Sequence, residues 1–215
     1  GAASGKNGFN LSLRSYDHFR DHDVLTRQAK GRRISTVNPM DSLFLLKPLG
    51  DVPHEGGQRF EKASLEYRIL FDWISQGAPG PLEGDAAFVR LEMLPPSMEL
   101  EPGVSQPLLV TAHYDDGTSR DVTRWVKFDT SEDTVALVDE QGVVSVQKAG
   151  SAAITAWYSS KVALTELNVP REKVVAPQVY EVAANNNYID ERIHAKLAQL
   201  NIAPAALCDD GAFIR

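Results

Sequence analysis

The feature that most constrains this chain is a change of hydrophobic period near residue 88. From there "FVRLEMLP" alternates apolar and polar residues. "QPLLVTAHYDDGTSRDVT" reads as a strand, an Asp-Gly turn and a short return strand. "TVALVDEQGVVSVQKAGSAAITAWYSSKVALTELNV" continues with short strands broken by turn residues. A period of two sends alternate side chains to opposite faces of a sheet. Repeated at intervals of roughly 8–12 residues, it predicts a small two-layer β-sandwich. The predicted domain covers residues 87–170, with Trp125, Phe128 and Trp157 as the large core candidates.

Upstream, residues 1–86 follow a helical period with long loops. "DHDVLTRQAKGRR" has acids in front, Gly31 near its end and bases beside it, the terminal signals of a short helix. In "NPMDSLFLLKP", Asn38 is a cap, Pro39 suits the first turn and Pro48 ends the helix. "SLEYRILFDWISQGAP" carries the strongest signal. Ser64 caps it, and Leu65, Ile69 and Trp73 recur at spacing four, with Leu70 and Ile74 widening the stripe. Gly77 and Pro79 end it.

Beyond Pro170 periodicity is lost, and residues 171–187 read as linker. Residues 188–215 open with a helix bearing Ile189, Ile193, Leu197 and Leu200 on one face, closed by Pro204. So narrow a stripe does not fold alone. It needs a partner surface, expected in sequence beyond this chain, and the segment reads as the first helix of a further, truncated domain. The fold class is therefore multidomain: a mostly-α N-terminal part, an all-β sandwich and a C-terminal helical fragment. The two ends read as cuts from a longer polypeptide.

Composition narrows the function. The net charge is −7, and no basic stripe or aromatic–arginine cluster is present, so nucleic acid is not an expected partner. No apolar run is long enough to span a membrane as a helix. The lone Cys208 rules out an intrachain disulfide and a cysteine-only zinc site. Its "ALCDDGAF" setting reads as the residue before an Asp209 helix cap. Asp115, Asp116 and Asp121 lie close to His113 in "HYDDGTSRDVT". Their spacing does not fit a calcium loop, and Asp116-Gly117 is better read as a hairpin turn. No phosphate loop, G-x-S-x-G elbow or H-E-x-x-H pair occurs, so no enzyme activity and no metal site are expected. His18 and His22 stand among acids at a helix start, and His194 lies within the last helix.

Three stretches resemble known families. "GKNGFNLSLRSYD", "GRRISTVNPMDSLFLLKPLGDVPHEGGQRF" and "EYRILFDWISQGAPGP" resemble the planctomycete-type cytochrome c-like domain. The run from "LEMLPPSMELEPG" through "AITAWY" resembles the bacterial immunoglobulin-like domain, group 2. "NNYIDERIHAKLAQLNIAPAALCDDGAFIR" resembles the start of a domain of unknown function that follows these two in large exported planctomycete proteins.

The first resemblance implies an electron-transfer module. In that family a C-x-x-C-H motif precedes the segment seen here, and it supplies the thioether links and the proximal histidine of haem c. This sequence departs from the pattern, since its single cysteine cannot attach a c-type haem. Either the motif is lost by truncation or the module is free of haem. The family's M-P-P-x-G loop, whose methionine can be the second axial ligand, corresponds here to Val52-Pro53-His54-Glu55-Gly56-Gly57. The resemblance then implies His54 as the distal haem ligand, with Met40 as a competing soft ligand. The plainer reading is an exposed loop histidine. The other resemblances imply a spacer or interaction module in the cell envelope, periplasmic or extracellular. Its partners would be other domains of the same polypeptide, a cell-surface protein or a polysaccharide. A haem-free surface scaffold is the alternative.

Overall fold

The computed structural model describes residues 9–12, 16–181, 187–205 and 211. The chain divides into two compact units, residues 1–86 and 87–215.

The first unit is built on three α-helices, α1 (His18–Thr26), α2 (Leu43–Leu49) and α3 (Leu65–Ser75). Asp17 caps α1 by accepting the Arg20 N–H at 2.9 Å. The helix stops at Thr26, ahead of the predicted Gly31, because Ala29, Lys30 and Gly31 all take positive φ. The 38–48 segment is also not one helix. A 3-10 turn occupies Pro39–Asp41, and Ser42 rather than Asn38 precedes α2. Pro48 lies inside the last turn of α2, and the left-handed Gly50 ends it. Ser42 is wholly buried, and its hydroxyl accepts the Ser35 N–H at 3.0 Å.

Helix α3 begins as expected, with Ser64 Oγ accepting the Tyr67 N–H at 3.2 Å. Its buried face is rotated from the expected stripe. Leu65 and Ile69 are exposed, whereas Tyr67, Leu70 and Phe71 are half-buried and Ile74 is fully buried. Positions 67, 70, 71 and 74 make the inward face, again at helical spacing. Trp73 flanks it. Its indole N–H donates to the Pro79 carbonyl at 3.0 Å, and its ring meets His22 edge-on. His22 Nε2–H donates to the Ala78 carbonyl at 2.9 Å, tying α1 to the segment after α3. Among the described residues, the buried apolar ones of this unit are Val24, Leu45, Ile74 and Ala78. That is a thin core for so many residues.

The described residues of the second unit hold ten strands in three sheets. The largest has the order β2 (Ser97–Glu99), β10 (Lys161–Val169), β9 (Gly150–Tyr158), β6 (Lys127–Thr130). A second has the order β1 (Phe88–Leu94), β4 (Leu109–Tyr114), β5 (Ser119–Asp121), and a third β3 (Ser105–Pro107), β8 (Val143–Val146), β7 (Ala136–Val138). All pairs are antiparallel except β2 with β10. The predicted Asp-Gly hairpin joins β4 to β5, with Gly117 at φ +81, where a side chain would be strained. One apolar cluster draws on all three sheets: Leu91 and Met93 from β1, Val110 and Ala112 from β4, Val144 and Val146 from β8, and alternate residues of β9 and β10. Thr165, wholly buried among them, donates its hydroxyl to the Pro95 carbonyl at 2.6 Å.

The expected aromatic core is only partly present. Phe128 packs against the cluster, but Trp125 is 42% exposed. It sits in a 3-10 turn whose neighbours Val122 and Val126 take the inward positions. Trp157 has the parity of the outer face of β9, where Ala152, Ile154 and Ala156 point inward.

Past β10 the presumed linker contains a short helix, α4 (Gln178–Glu181), and α5 spans Tyr188–Gln199. Asn187 caps α5 by accepting the N–H groups of Ile189 and Asp190. Part of the surface that α5 packs on lies within this chain. Lys196 Nζ donates to Asn168 Oδ1 at 2.6 Å and pairs with Glu166, both on β10. Arg171 N–H donates to the Leu200 carbonyl at 3.0 Å, and Leu200 is buried. Ile189 and Ile193 stay about half exposed.

Candidate functional site

Residues 51–59 form a loop that leaves α2 and returns to it. At its start Asp51 N–H donates to the Leu46 carbonyl at 3.0 Å, and at its end Arg59 N–H donates to the Pro48 carbonyl at 2.7 Å. The loop therefore closes over the last turn of α2. An exposed pair, Lys62 with Asp51 at 3.3 Å, adds little to this closure. His54 stands at its middle, half-buried. Its imidazole lies against Gly56. A Cβ on that residue would come within 2.7 Å of His54 Nε2, so only glycine leaves the ring its place.

His54 lines a cavity of about 560 Å³ inside this unit. Phe9, Leu43, Phe44, Pro48 and Pro53 make its apolar walls. Arg32, Arg33 and Lys47 bring positive charge to it, and among the described residues Glu55 is the one acid of the lining. Arg33 is fixed in place: its guanidinium donates to the Val24 carbonyl and lies 5.2 Å from the centre of the Phe9 ring. The Phe44 N–H donates to the Arg33 carbonyl at 2.9 Å, which joins this wall to α2. Met40 is 59% exposed on its 3-10 turn and is not part of the lining.

The aspartates near His113 do not converge. Asp115 Oδ1 accepts the Ala87 N–H at 2.8 Å, and Asp121 Oδ1 accepts the Thr123 N–H at 2.9 Å. Asp116 accepts from both the hydroxyl and the amide of Thr118, which hold its carboxyl below the usual aspartate range. Asp116 and Asp121 are thus used in local turns, and Asp115 ties the hairpin to the residue before β1. Among the described residues no three His, Cys, Asp or Glu side chains gather to hold a metal ion. His18 is exposed, and Cys208 lies outside the described residues.

Sequence reasoning missed the partner of His113. Its Nε2–H donates to Glu92 Oε2 at 2.9 Å across the β1–β4 pair, while Arg90 reaches Glu92 Oε1 at 3.1 Å. Hydrogen bonds from Arg90, then from His113, hold the Glu92 carboxyl below the ordinary glutamate range. A depressed carboxylate pKa stabilises the fold above its unfolded value, and that contribution is lost as pH falls through the folded value. Urea midpoints of wild type and Glu92→Gln should accordingly differ at pH 7 and converge below about pH 4, near and under the free glutamate value. A gap that widens on acidification would contradict this.

Near the start of the sandwich Phe88, Tyr114 and Tyr158 cluster, with Arg120 over the Tyr114 ring at 5.2 Å. Burial pushes the Tyr158 phenol up, so it is neutral in ordinary conditions. No helix among the described residues is long and apolar enough to cross a membrane.

Residues 88–164 match the bacterial Ig-like domain (group 2) family, the second of the three resemblances. Ice-binding protein 1 of Shewanella frigidimarina is 36% identical over 85 residues, which are 40% of this chain and 10% of that protein. The matched part is therefore about a tenth of the curated relative's length. Among solved structures, domains 4 and 5 of the S-layer protein SbsC align over 40% of this chain and 53% of that one, at 16% identity and a TM-score of 0.34. The longer fragment rSbsC(31-844) aligns over 43% of this chain and 14% of that one, at 17% identity and a TM-score of 0.35.

Proposed function

We propose that this chain is a non-catalytic part of a large exported protein of the cell envelope, with the Ig-like domain at residues 88–164 serving as a spacer or interaction module. The observation that carries this reading is the sandwich itself. Its buried residues form one apolar cluster drawn from all three sheets, and the carboxylates near its Asp-Gly turn accept backbone N–H groups, so the described residues gather no reaction centre there. Shape and placement are then what the module contributes. The match to a tenth of a much longer relative suits a module used as an accessory part of large chains. Other domains of the same polypeptide are its nearest partners, and a surface protein or a polysaccharide is the outer one.

Within that protein the helical unit is the cytochrome c-like module that its sequence resembles, with His54 as the distal haem ligand. The residues fit such a group. His54 lies on an apolar cavity whose walls include Phe44 and Pro48 and whose cations suit the acid side chains of a haem. Bound haem would supply one-electron transfer. The residues that attach it covalently are not in this chain, since Cys208 is its only cysteine. The haem-free scaffold is favoured instead if the protein encoded around this segment carries no C-x-x-C-H.

The test is the full-length natural protein made in a host with cytochrome maturation. A haem stain with a spectrum altered by His54→Ala supports the module and the ligand. A stained protein whose spectrum is unchanged by His54→Ala removes the ligand assignment. An unstained protein removes the electron-transfer reading and leaves the scaffold.

A further inference from the structure

We infer that the cavity of the helical unit is a binding site for an amphipathic carboxylate, an apolar ring or chain that ends in an anionic head. At about 560 Å³ it falls within the range of cavities that hold small organic ligands. Leu43, Phe44 and Pro48 on its walls are half-buried, so an apolar body would remove surface from water there. Arg32 and Lys47 are exposed, which puts two cations where the cavity meets solvent, and the anchored Arg33 adds a third. Among the described residues no carboxylate pairs with Arg32 or Lys47, and Glu55 is the one acid of the lining. This local positive charge runs against a chain whose net charge is −7. It selects an anion rather than a neutral apolar molecule. Among the described residues the buried apolar core of the unit is Val24, Leu45, Ile74 and Ala78, so an occupant would also add to its packing.

Two sources offer this chemistry, a tetrapyrrole dicarboxylate and a lipid-derived fatty acid. The inference goes beyond the His54 assignment and does not rest on it, because neither probe below carries a metal. The full 215-residue chain is titrated calorimetrically with palmitate, with metal-free protoporphyrin IX and with the methyl ester of each. At least one free acid should bind, and its ester should bind about tenfold more weakly, as the loss of two exposed charge contacts predicts. The double variant Arg32→Glu with Lys47→Glu should weaken the acid by about tenfold or more and leave the ester unchanged. Binding of palmitate alone points to a lipid source, and binding of the porphyrin alone to a tetrapyrrole. If the double variant does not fold, salt replaces it: added sodium chloride should weaken the acid and spare the ester. The inference is overturned if neither acid binds, if acid and ester bind alike, or if a folded double variant binds the acid as wild type does.

Discussion

Ile154→Ala costs the sandwich roughly 2–5 kcal/mol, lowering its melting temperature by about 15 °C. Ile154 is 0% exposed in the middle of β9, with Ala152 and Ala156 beside it on the inward face. Small neighbours on the same strand cannot close the space that a lost isoleucine leaves, so the cavity term adds to the transfer term. Its cross-strand partner Thr165 is held to Pro95 and is not free to shift inward. The control lies on the paired strand. Leu164 is 57% exposed on the outer face of β10, and Leu164→Ala should change stability by less than about 0.5 kcal/mol. Urea unfolding followed by Trp157 fluorescence checks both. Equal effects from the two substitutions would mean that the parity of the β9–β10 pair is wrong.

Leu45→Ala has the larger structural consequence, because it acts on the poorer core. Leu45 is 0% exposed on α2, and its apolar companions in full burial are Val24, Ile74 and Ala78. A loss of roughly 2–5 kcal/mol is then comparable to the whole stability that a unit with so little buried surface can have. The amides of residues 18–75 should lose their dispersion in a 1H–15N spectrum at 25 °C, while those of the sandwich keep theirs. A variant in which both sets stay dispersed, with a loss under about 1 kcal/mol, would mean that the helical unit draws stability from elsewhere.

Much of the sandwich was readable because its signal is local and periodic. The inward residues of β9 and of β10 alternate along each strand, with Thr165 the one polar member and Val162 and Leu164 turned outward, and Gly117 sits where an Asp-Gly turn needs it. Size misled where parity decided. Trp125 and Trp157 are large enough to suggest a core, yet one lies in a 3-10 turn and the other on the outer side of its strand. In α3 Leu70 and Ile74 of the predicted stripe face inward, whereas Leu65 and Ile69 are exposed, so the inward face is shifted to one side of that stripe. The partner of α5 could not be read, since Lys196 meets Glu166 and Asn168 across thirty and twenty-eight positions of chain.

The candidate site was legible only at one point. The Pro-His-Glu-Gly-Gly loop marked His54 from sequence, through a resemblance and not through spacing. The cavity beside it joins Phe9, the Arg32–Arg33 pair, one side of α2 and the 53–56 loop, and no local pattern links such distant segments. His113 and Glu92 were hidden for a similar reason. Their contact depends on the β1–β4 register, which shifts between Phe88 and Arg90.

The central claim is that this chain carries a sandwich with one continuous apolar core and a helical unit left open around a ligand-sized cavity. Residue-resolved amide exchange on the intact chain tests it most directly. Protected amides of residues 88–169 should exchange at least about a hundredfold more slowly than those of α1, α2 and α3. Equal protection in the two units would contradict it.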